Sequence, residues 1–333
     1  MKVSIIGAGA WGTTLANVLI DNNHEVIIYD INENNINKIN INHLHPFFDV
    51  EISDKIKASN NLKEVVEFSN NILLAVPTKV MRIVLRQINN YLTKPTNFID
   101  VSKGLEIETS KRVSDLVKEE IEPANLNNYA VLTGPSHAEE VILRKLTLLT
   151  VASKSEDFAL EIQKLFSNDK YIRVYRSDDV IGAEVGGATK NAIAVVSGMI
   201  AGYGMGENAR AALITRGILE IARVVEYYGG NKDTTFGLTG VGDLIVTASS
   251  THSRNYRAGL RLGEGISLEQ VYAEEKQTIE GIRSIEALYA LANKENLYLP
   301  IITTAYKVIF EKTPLKEAVV GLLTLKLKEE EIS

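Results

Sequence analysis

The 333-residue sequence contains no cysteine. That excludes disulfides, thiolate metal sites, cysteine nucleophiles and iron–sulfur ligation, and it fits a reducing compartment. It has no excess of positive charge: the formal net charge is −6, so a general attraction to nucleic acid is not expected. No secretory leader is expected, because the opening MKVSIIGAGAWG breaks at once from a short apolar run into glycines. No run approaches the roughly 20 apolar residues that span a bilayer. The longest candidate, residues 188–201, carries Lys190, Asn191 and Ser197. The expectation is a soluble, cytoplasmic protein with no nucleic-acid or membrane partner. What is present is ordinary for a globular chain, 45% hydrophobic and 23% charged, and long enough for two domains.

Up to about residue 176, short β-rich runs alternate with amphipathic helical stretches. Strands are predicted at residues 2–6, 26–29, 57–58, 70–76, 97–101, 129–133, 146–152 and 171–175. The helical stretches between them include residues 11–21, 80–91, 111–121, 136–141 and 156–166. Such alternation implies parallel βαβ units, with helices on both faces of a doubly wound sheet. The Asn-rich residues 32–42 read as helix plus loop. After Ser177-Asp178-Asp179 the β pattern vanishes and long helical stretches follow. The expected division is a Rossmann-like doubly wound α/β domain at 1–178 and an all-α domain at 179–333. The charged tail at 326–330 reads as a solvated helix end.

Gly7-Ala8-Gly9-Ala10-Trp11-Gly12 follows the first strand and opens the first helix, which is the context this glycine spacing requires. Gly7 allows the tight turn, Gly9 the approach of a pyrophosphate, and Gly12 close helix–strand packing. The helix N-terminus adds unpaired N–H groups and partial positive charge. Asp30 ends the second strand about 20 residues on, where an acid accepts hydrogen bonds from an adenine ribose. Asp30 would repel a 2′-phosphate, and Ile31 and Asn32 supply no cation to receive one. NAD is therefore favoured over NADP.

Four further segments carry candidate chemistry. Lys103, in Val101-Ser102-Lys103-Gly104-Leu105-Glu106, follows a strand end, where doubly wound sheets bind ligands. In Thr133-Gly134-Pro135-Ser136-His137-Ala138-Glu139, Ser136 is expected to cap a helix in a capping box with Glu139, with Gly134 and Ser136 at its mouth. In Glu184-Val185-Gly186-Gly187-Ala188-Thr189-Lys190-Asn191, small residues suggest close helix packing around a lysine. Burying that lysine is costly, and desolvation would lower its pKa into the range of a general acid/base. In the fourth, residues 237–247, the glycines suggest tight turns and Asp243 a partner for a buried cation such as Lys190. Just beyond them, Ser253 caps a helix whose first turn carries Arg254 and Asn255, a phosphate-binding arrangement. His43 and His45 have no third ligand nearby, so no metal is expected.

Taken in order, GAGAWGTTLA, VSKGLE, LTGPSHAEEV, EVGGATKNAIAVVSGMIAGYGMGENARAALITRG, GLTGVGDLIVTASSTHSRN and EGIRS resemble the bacterial-type NAD(P)-dependent glycerol-3-phosphate dehydrogenases over the whole chain. The resemblance implies a 6-phosphogluconate dehydrogenase-like fold, hydride exchange between sn-glycerol 3-phosphate and dihydroxyacetone phosphate, supply of glycerol 3-phosphate for phospholipids, and a homodimer. It implies that Lys190 exchanges a proton with the C2 oxygen, that Asp243 tunes Lys190, and that Lys103 polarises the same oxygen. Asn191 and Thr247 complete the polar cage. Arg254 and Asn255 hold the phosphate, with contacts from Gly134, Ser136 and Ser253. Ala10, Trp11, Lys103, Ala138, Arg254, Thr278 and Glu280 take cofactor-contacting positions. Relatives often carry a cationic or imidazole side chain where Ile31 stands, a departure that again points toward NAD. A 6-phosphogluconate-type dehydrogenase would lack GDLIVT and HSRN. A non-catalytic nucleotide sensor would need the glycines but not Lys103, Lys190 and Asp243 together.

Overall fold

Residues 1–106, 109–274 and 279–324 are described by the computed structural model. The chain divides into two units, Met1–Val180 and Ile181–Ser333.

In the first unit, apolar and β-branched runs form eight strands: β1 (Lys2–Ile6), β2 (Glu25–Tyr29), β3 (Lys57–Ser59), β4 (Asn71–Leu74), β5 (Thr96–Asp100), β6 (Leu126–Thr133), β7 (Thr147–Ser153) and β8 (Ile172–Ser177). The helices between them are α1 (Ala10–Asp21), α2 (Glu33–Asn37), α3 (Leu62–Phe68), α4 (Thr78–Asn89), α5 (Val113–Glu120), α6 (Ala138–Val141) and α7 (Glu156–Phe166). The strands alternate their apolar side chains between two cores. Leu73 joins Leu15 and Leu19 of α1 and Phe158 of α7 on one face. Its neighbours Ile72 and Leu74 join Val65, Leu85 and Leu116 of α3, α4 and α5 on the other.

The sheet order is β3-β2-β1-β4-β5-β6-β7-β8. β1 pairs in parallel with β2 on one side and β4 on the other, so the winding reverses direction at β1. The carboxyl end of β1 is thus the topological switch point, the place where such sheets bind ligands.

One expectation fails. β7 runs antiparallel to β6, although β8 is again parallel to β7. A parallel return needs a crossover along the sheet. Residues 134–146 carry only the four-residue α6 and bring the chain back at the same end. The Asn-rich stretch forms α2 and then a π-helical turn, Lys38–Asn42, that stops at His43 in the left-handed region, φ 52°.

The second unit is helical throughout its described residues: α8 (Val180–Gly202, starting at the boundary), α9 (Gly206–Tyr227), α10 (Asp243–Ser249), α11 (Arg254–Gly263), α12 (Leu268–Glu274), α13 (Glu280–Glu295), α14 (Pro300–Ile309) and α15 (Leu315–Leu323). Val185, Ile193, Ile221, Leu244, Ile282 and Ile302 build its core. The glycines of residues 237–242 form a π-helical turn, Leu238–Gly242, that feeds directly into α10, where separate tight turns were expected. The expected tail helix at 326–330 lies outside the described residues.

Two packing devices shape this unit. Glycines spaced four apart on α8 and α11 face one another backbone to backbone. A Cβ on Gly198 would stand 2.1 Å from the Tyr256 carbonyl oxygen, and one on Gly202 2.1 Å from that of Leu260. In return, a Cβ on Gly259 would meet the Val195 oxygen at 1.9 Å, and one on Gly263 the Met199 oxygen at 2.3 Å. Glycine is the residue that permits this approach. The second device is Glu220, buried in α9. Its carboxylate accepts from the backbone N–H groups of Ile301 (2.6 Å) and Ile302 (3.2 Å), the unpaired donors at the start of α14. Burial pushes its pKa up to about 7 despite those two bonds.

Candidate active site

At the switch point, Gly7 adopts φ 114° and presses on β4, where a Cβ would lie 2.6 Å from the Ala75 oxygen. A Cβ on Gly12 would collide with the Gly7 oxygen at 2.1 Å. Gly9 differs from both: no protein atom lies within 4 Å of where its Cβ would stand. Packing therefore does not explain glycine there, whereas the approach of a pyrophosphate to the backbone does. Gly9 is also the N-cap of α1 and offers no side chain to its first N–H groups. Ala10 and the half-buried Trp11 form that first turn. These features fit a dinucleotide.

Asp30 does more than its sequence position suggests. Oδ2 accepts from the Ala8 N–H at 2.8 Å, and Oδ1 from the Asn32 N–H at 2.8 Å. The carboxylate ties the glycine turn to the end of β2 while leaving lone pairs for a ribose. Ile31 beside it is exposed.

The carboxyl ends of β5 and β6 bring three predicted residues together. The Gly134 carbonyl accepts from Lys103 Nζ at 3.3 Å and from Ser136 Oγ at 2.9 Å. Gly134 itself has φ 134°. The expected capping box is absent: His137 occupies the N-cap of α6 without a side-chain cap bond, because Ser136 has turned back to Gly134. Ala138 is the buried first residue of α6.

In the second unit, Lys190 is 2% exposed and Asp243 1%. Lys190 Nζ lies 2.8 Å from Asp243 Oδ1 and donates to Thr247 Oγ1 at 2.6 Å. The Thr247 hydroxyl donates in turn to the Asp243 backbone oxygen at 2.5 Å. Asp243 opens α10 and Thr247 follows one turn later, so both face α8. The burial expected of Lys190 is present, but the lysine is not left to desolvation alone: a carboxylate shares the cavity and offsets the cost. A Cβ on Gly186 would meet nothing nearer than 3.6 Å, whereas the α8 backbone beside Lys190 is met closely at Asn191 by Gly281, and close approach continues further along α8 at Gly198 and Gly202.

Asn191 is buried next to Lys190. A Cβ on Gly281 would stand 2.3 Å from the Asn191 oxygen, so the start of α13, with Glu280, lies against this corner. Asn255 Oδ1 accepts from the Gly281 N–H at 2.9 Å. Ser253 caps α11 by accepting from the Tyr256 N–H at 3.2 Å. Arg254 stands exposed on the same first turn. The glycine ladder between α8 and α11 thus sets the separation between the Lys190 pair and the Ser253–Asn255 turn. Thr278 lies outside the described residues.

Some contributors were not singled out from the sequence. The spacing of Gly198 with Gly202, and of Gly259 with Gly263, was visible there as a signal for close helix contact. His45 was weighed only as a metal ligand. Its buried ring sits within 3.1 Å of the Ala10 carbonyl through Nε2, and its Nδ1 lies 3.1 and 3.2 Å from the N–H groups of Phe47 and Phe48. It therefore pins its loop to the first turn of α1. Desolvation lowers its pKa to about 4, so the ring is neutral at ordinary pH.

A switch-point glycine turn, followed by a helical unit with a buried lysine–aspartate pair, defines a dinucleotide-dependent oxidoreductase of the 6-phosphogluconate dehydrogenase-like class. Family models described as the NAD-dependent glycerol-3-phosphate dehydrogenase N-terminus and C-terminus match residues 2–159 and 179–320. The chain belongs to this family, and its cofactor is NAD or NADP. A relative from Acholeplasma laidlawii, named glycerol-3-phosphate dehydrogenase (NAD(P)+), is 60% identical over 100% of both chains. One of the same name from Phytoplasma mali is 48% identical, also over 100% of both. The crystal structure of glycerol-3-phosphate dehydrogenase from Coxiella burnetii superposes with a TM-score of 0.91 at 32% identity, covering 97% of this chain and 98% of that one. Among the described residues no helix is long and apolar enough to cross a membrane.

Proposed function

We propose that the chain interconverts sn-glycerol 3-phosphate and dihydroxyacetone phosphate, with Lys190 as the acid/base at the C2 oxygen. The observation that carries this is the buried contact of Lys190 with Asp243 and Thr247. When bound, the nicotinamide supplies or accepts the hydride; the protein supplies position, field and proton. As the ketone is reduced its oxygen gains negative charge, and Lys190 donates a proton to it. In the reverse direction the neutral amine takes that proton back. Asp243 holds the ammonium in place and favours its charged form between turnovers, and Thr247 fixes its direction. Such fixed charges stabilise the developing oxyanion without reorganising.

Lys103 adds a second cation for the same oxygen and contacts the cofactor. Arg254, at a helix N-terminus with Ser253 and Asn255, binds the substrate phosphate, and it also touches the cofactor. Gly134, Ser136 and Asn191 complete the substrate contacts. Gly7, Gly9, Ala10, Trp11, Gly12, Asp30, Ala138, Thr278 and Glu280 hold the dinucleotide. The division of labour assigns the nucleotide to residues 1–178 and substrate and proton transfer to 179–333. NAD is the preferred form, because Asp30 repels a 2′-phosphate and the exposed Ile31 cannot attract one. The protein works as a cytoplasmic homodimer that supplies glycerol 3-phosphate to phospholipid synthesis.

The test is direct. Purified protein should oxidise NADH when dihydroxyacetone phosphate is added, and NADPH more slowly. No loss of absorbance with either nucleotide would overturn the reading; a faster rate with NADPH would overturn only the cofactor preference.

A further inference from the structure

Lys103 stands in a loop, yet that loop is held at every described turn. Behind Lys103, Asp100 is 1% exposed, and its Oδ1 accepts from the Ser102 N–H at 2.9 Å and the Ser102 hydroxyl at 2.6 Å. Just ahead, a Cβ on Gly104 would lie 2.8 Å from Thr78 Oγ1 at the start of α4. One turn along α4, Arg82 closes a two-pronged bond on Glu106: Nε to Oε1 at 2.7 Å and Nη2 to Oε2 at 2.7 Å. Glu106 is buried, and Oε2 also accepts from Thr109 Oγ1 at 2.5 Å. Arg82 is itself anchored on α5 by Glu119 at 2.9 Å and by Glu120.

Arg82 and Glu106 lie outside the contacts assigned above. A planar guanidinium gripping both oxygens of a carboxylate fixes orientation as well as distance. One end of α4 therefore packs on Gly104 while its next turn grips Glu106, and Lys103 lies between these and the Ser102 anchor on Asp100.

We infer that the Arg82–Glu106 clamp is a positioning device for Lys103, setting the aim of its ammonium toward the substrate oxygen. The inference rests on the catalytic reading of Lys103 given above. Loosening the clamp lowers kcat because a displacement near 1 Å at a reacting group costs up to about a hundredfold. It moves nucleotide affinity much less, since the glycine turn at β1, with most of the nucleotide contacts proposed above, makes no use of the clamp.

The experiment is a double-mutant cycle on the full-length enzyme with dihydroxyacetone phosphate and NADH. Four proteins are compared: wild type, Glu106→Gln, Lys103→Ala and the double variant. Glu106→Gln should lower kcat about tenfold with a much smaller change in the NADH dissociation constant, and should have no further effect once Lys103 is alanine. Arg82→Lys keeps a charge for Glu119 and Glu120 but loses the fork on Glu106. It should move kcat in the same direction by less, and it serves in the same cycle if Glu106→Gln fails to fold. Equal losses with and without Lys103 would overturn the inference, as would an unchanged kcat in both clamp variants. If Lys103→Ala itself leaves kcat intact, the catalytic reading of Lys103 fails first and the clamp falls with it.

Discussion

In the first unit, Lys103 is half-buried in a loop and bonded to a backbone carbonyl; in the second, Lys190 is sealed in a helical core and bonded to a carboxylate. The glycines divide in the same way. In the nucleotide turn Gly9 leaves room for an approaching ligand, beside Gly7 and Gly12, which serve a positive φ and the turn's own packing, whereas the glycines of α8 and α11 serve only helix–helix backbone contact. The nucleotide unit places its polar groups through strand ends and loop anchors, and the helical unit through core packing. A change at a ligand-facing site of the first unit should therefore alter binding while sparing the fold. A change in the second unit should register in both.

The sharpest way to break this comparison is a pair of glycine substitutions. Gly259→Ala forces a methyl into the Val195 carbonyl, so α8 and α11 must separate. It should cost about 3 kcal/mol in urea unfolding, the upper part of the overpacking range, and weaken substrate binding as well. Gly9→Ala meets no protein atom. Its unfolding midpoint should stay near wild type while the Michaelis constant for the nucleotide rises at least tenfold. If both variants lose stability equally, the two kinds of glycine are not distinct.

Next in size is Arg254→Ala. It removes an exposed cation from a capped helix start, so the Michaelis constant for the phosphorylated substrate should rise about tenfold or more, as for loss of a charge-assisted bond. The constant for the nucleotide should change much less. Equal changes in the two would contradict the phosphate role.

A pH-dependent effect concerns Glu220, which touches stability alone and not activity. Its folded pKa, about 7, lies above the ordinary 4.5. The folded state therefore binds more protons between those values, and stability falls as pH rises through that window. The contribution is fully present below pH 4.5 and lost above 7. Glu220→Gln cannot titrate and keeps one acceptor oxygen where the carboxylate offered two to Ile301 and Ile302, a loss that does not vary with pH. The stability difference between wild type and this variant should thus change across pH 5–7.5, and parallel pH profiles would show that Glu220 does not carry the effect.

Much of this architecture was legible in the sequence, for physical reasons. Short β-rich runs ended by Gly7, Pro77 or Gly134 mark strands, and the six motif blocks mark the candidate residues. The direction of β7 was not legible, because periodicity reports which faces are buried and not which way a strand runs. The capping box was misread because Ser136 can bond backward to Gly134 as well as forward into a helix. The small residues around Lys190 signalled close packing, which is present where Gly281 meets the Asn191 backbone; the further approach at Gly198 and Gly202 is signalled by spacing rather than abundance. The clamp of Arg82 on Glu106 joins residues whose proximity arises only when α4 packs beside the loop after β5.

The buried Lys190–Asp243 pair is the center of the account, and replacing the lysine tests it most directly. Lys190→Ala alone would strand a buried carboxylate, at a cost of about 3–5 kcal/mol, so the measurement is made in Lys190→Ala/Asp243→Asn, where both charges are gone. The account predicts a folded protein that binds NADH as wild type does and whose kcat has dropped at least a thousandfold. A folded double variant that retains turnover within tenfold of wild type would contradict it.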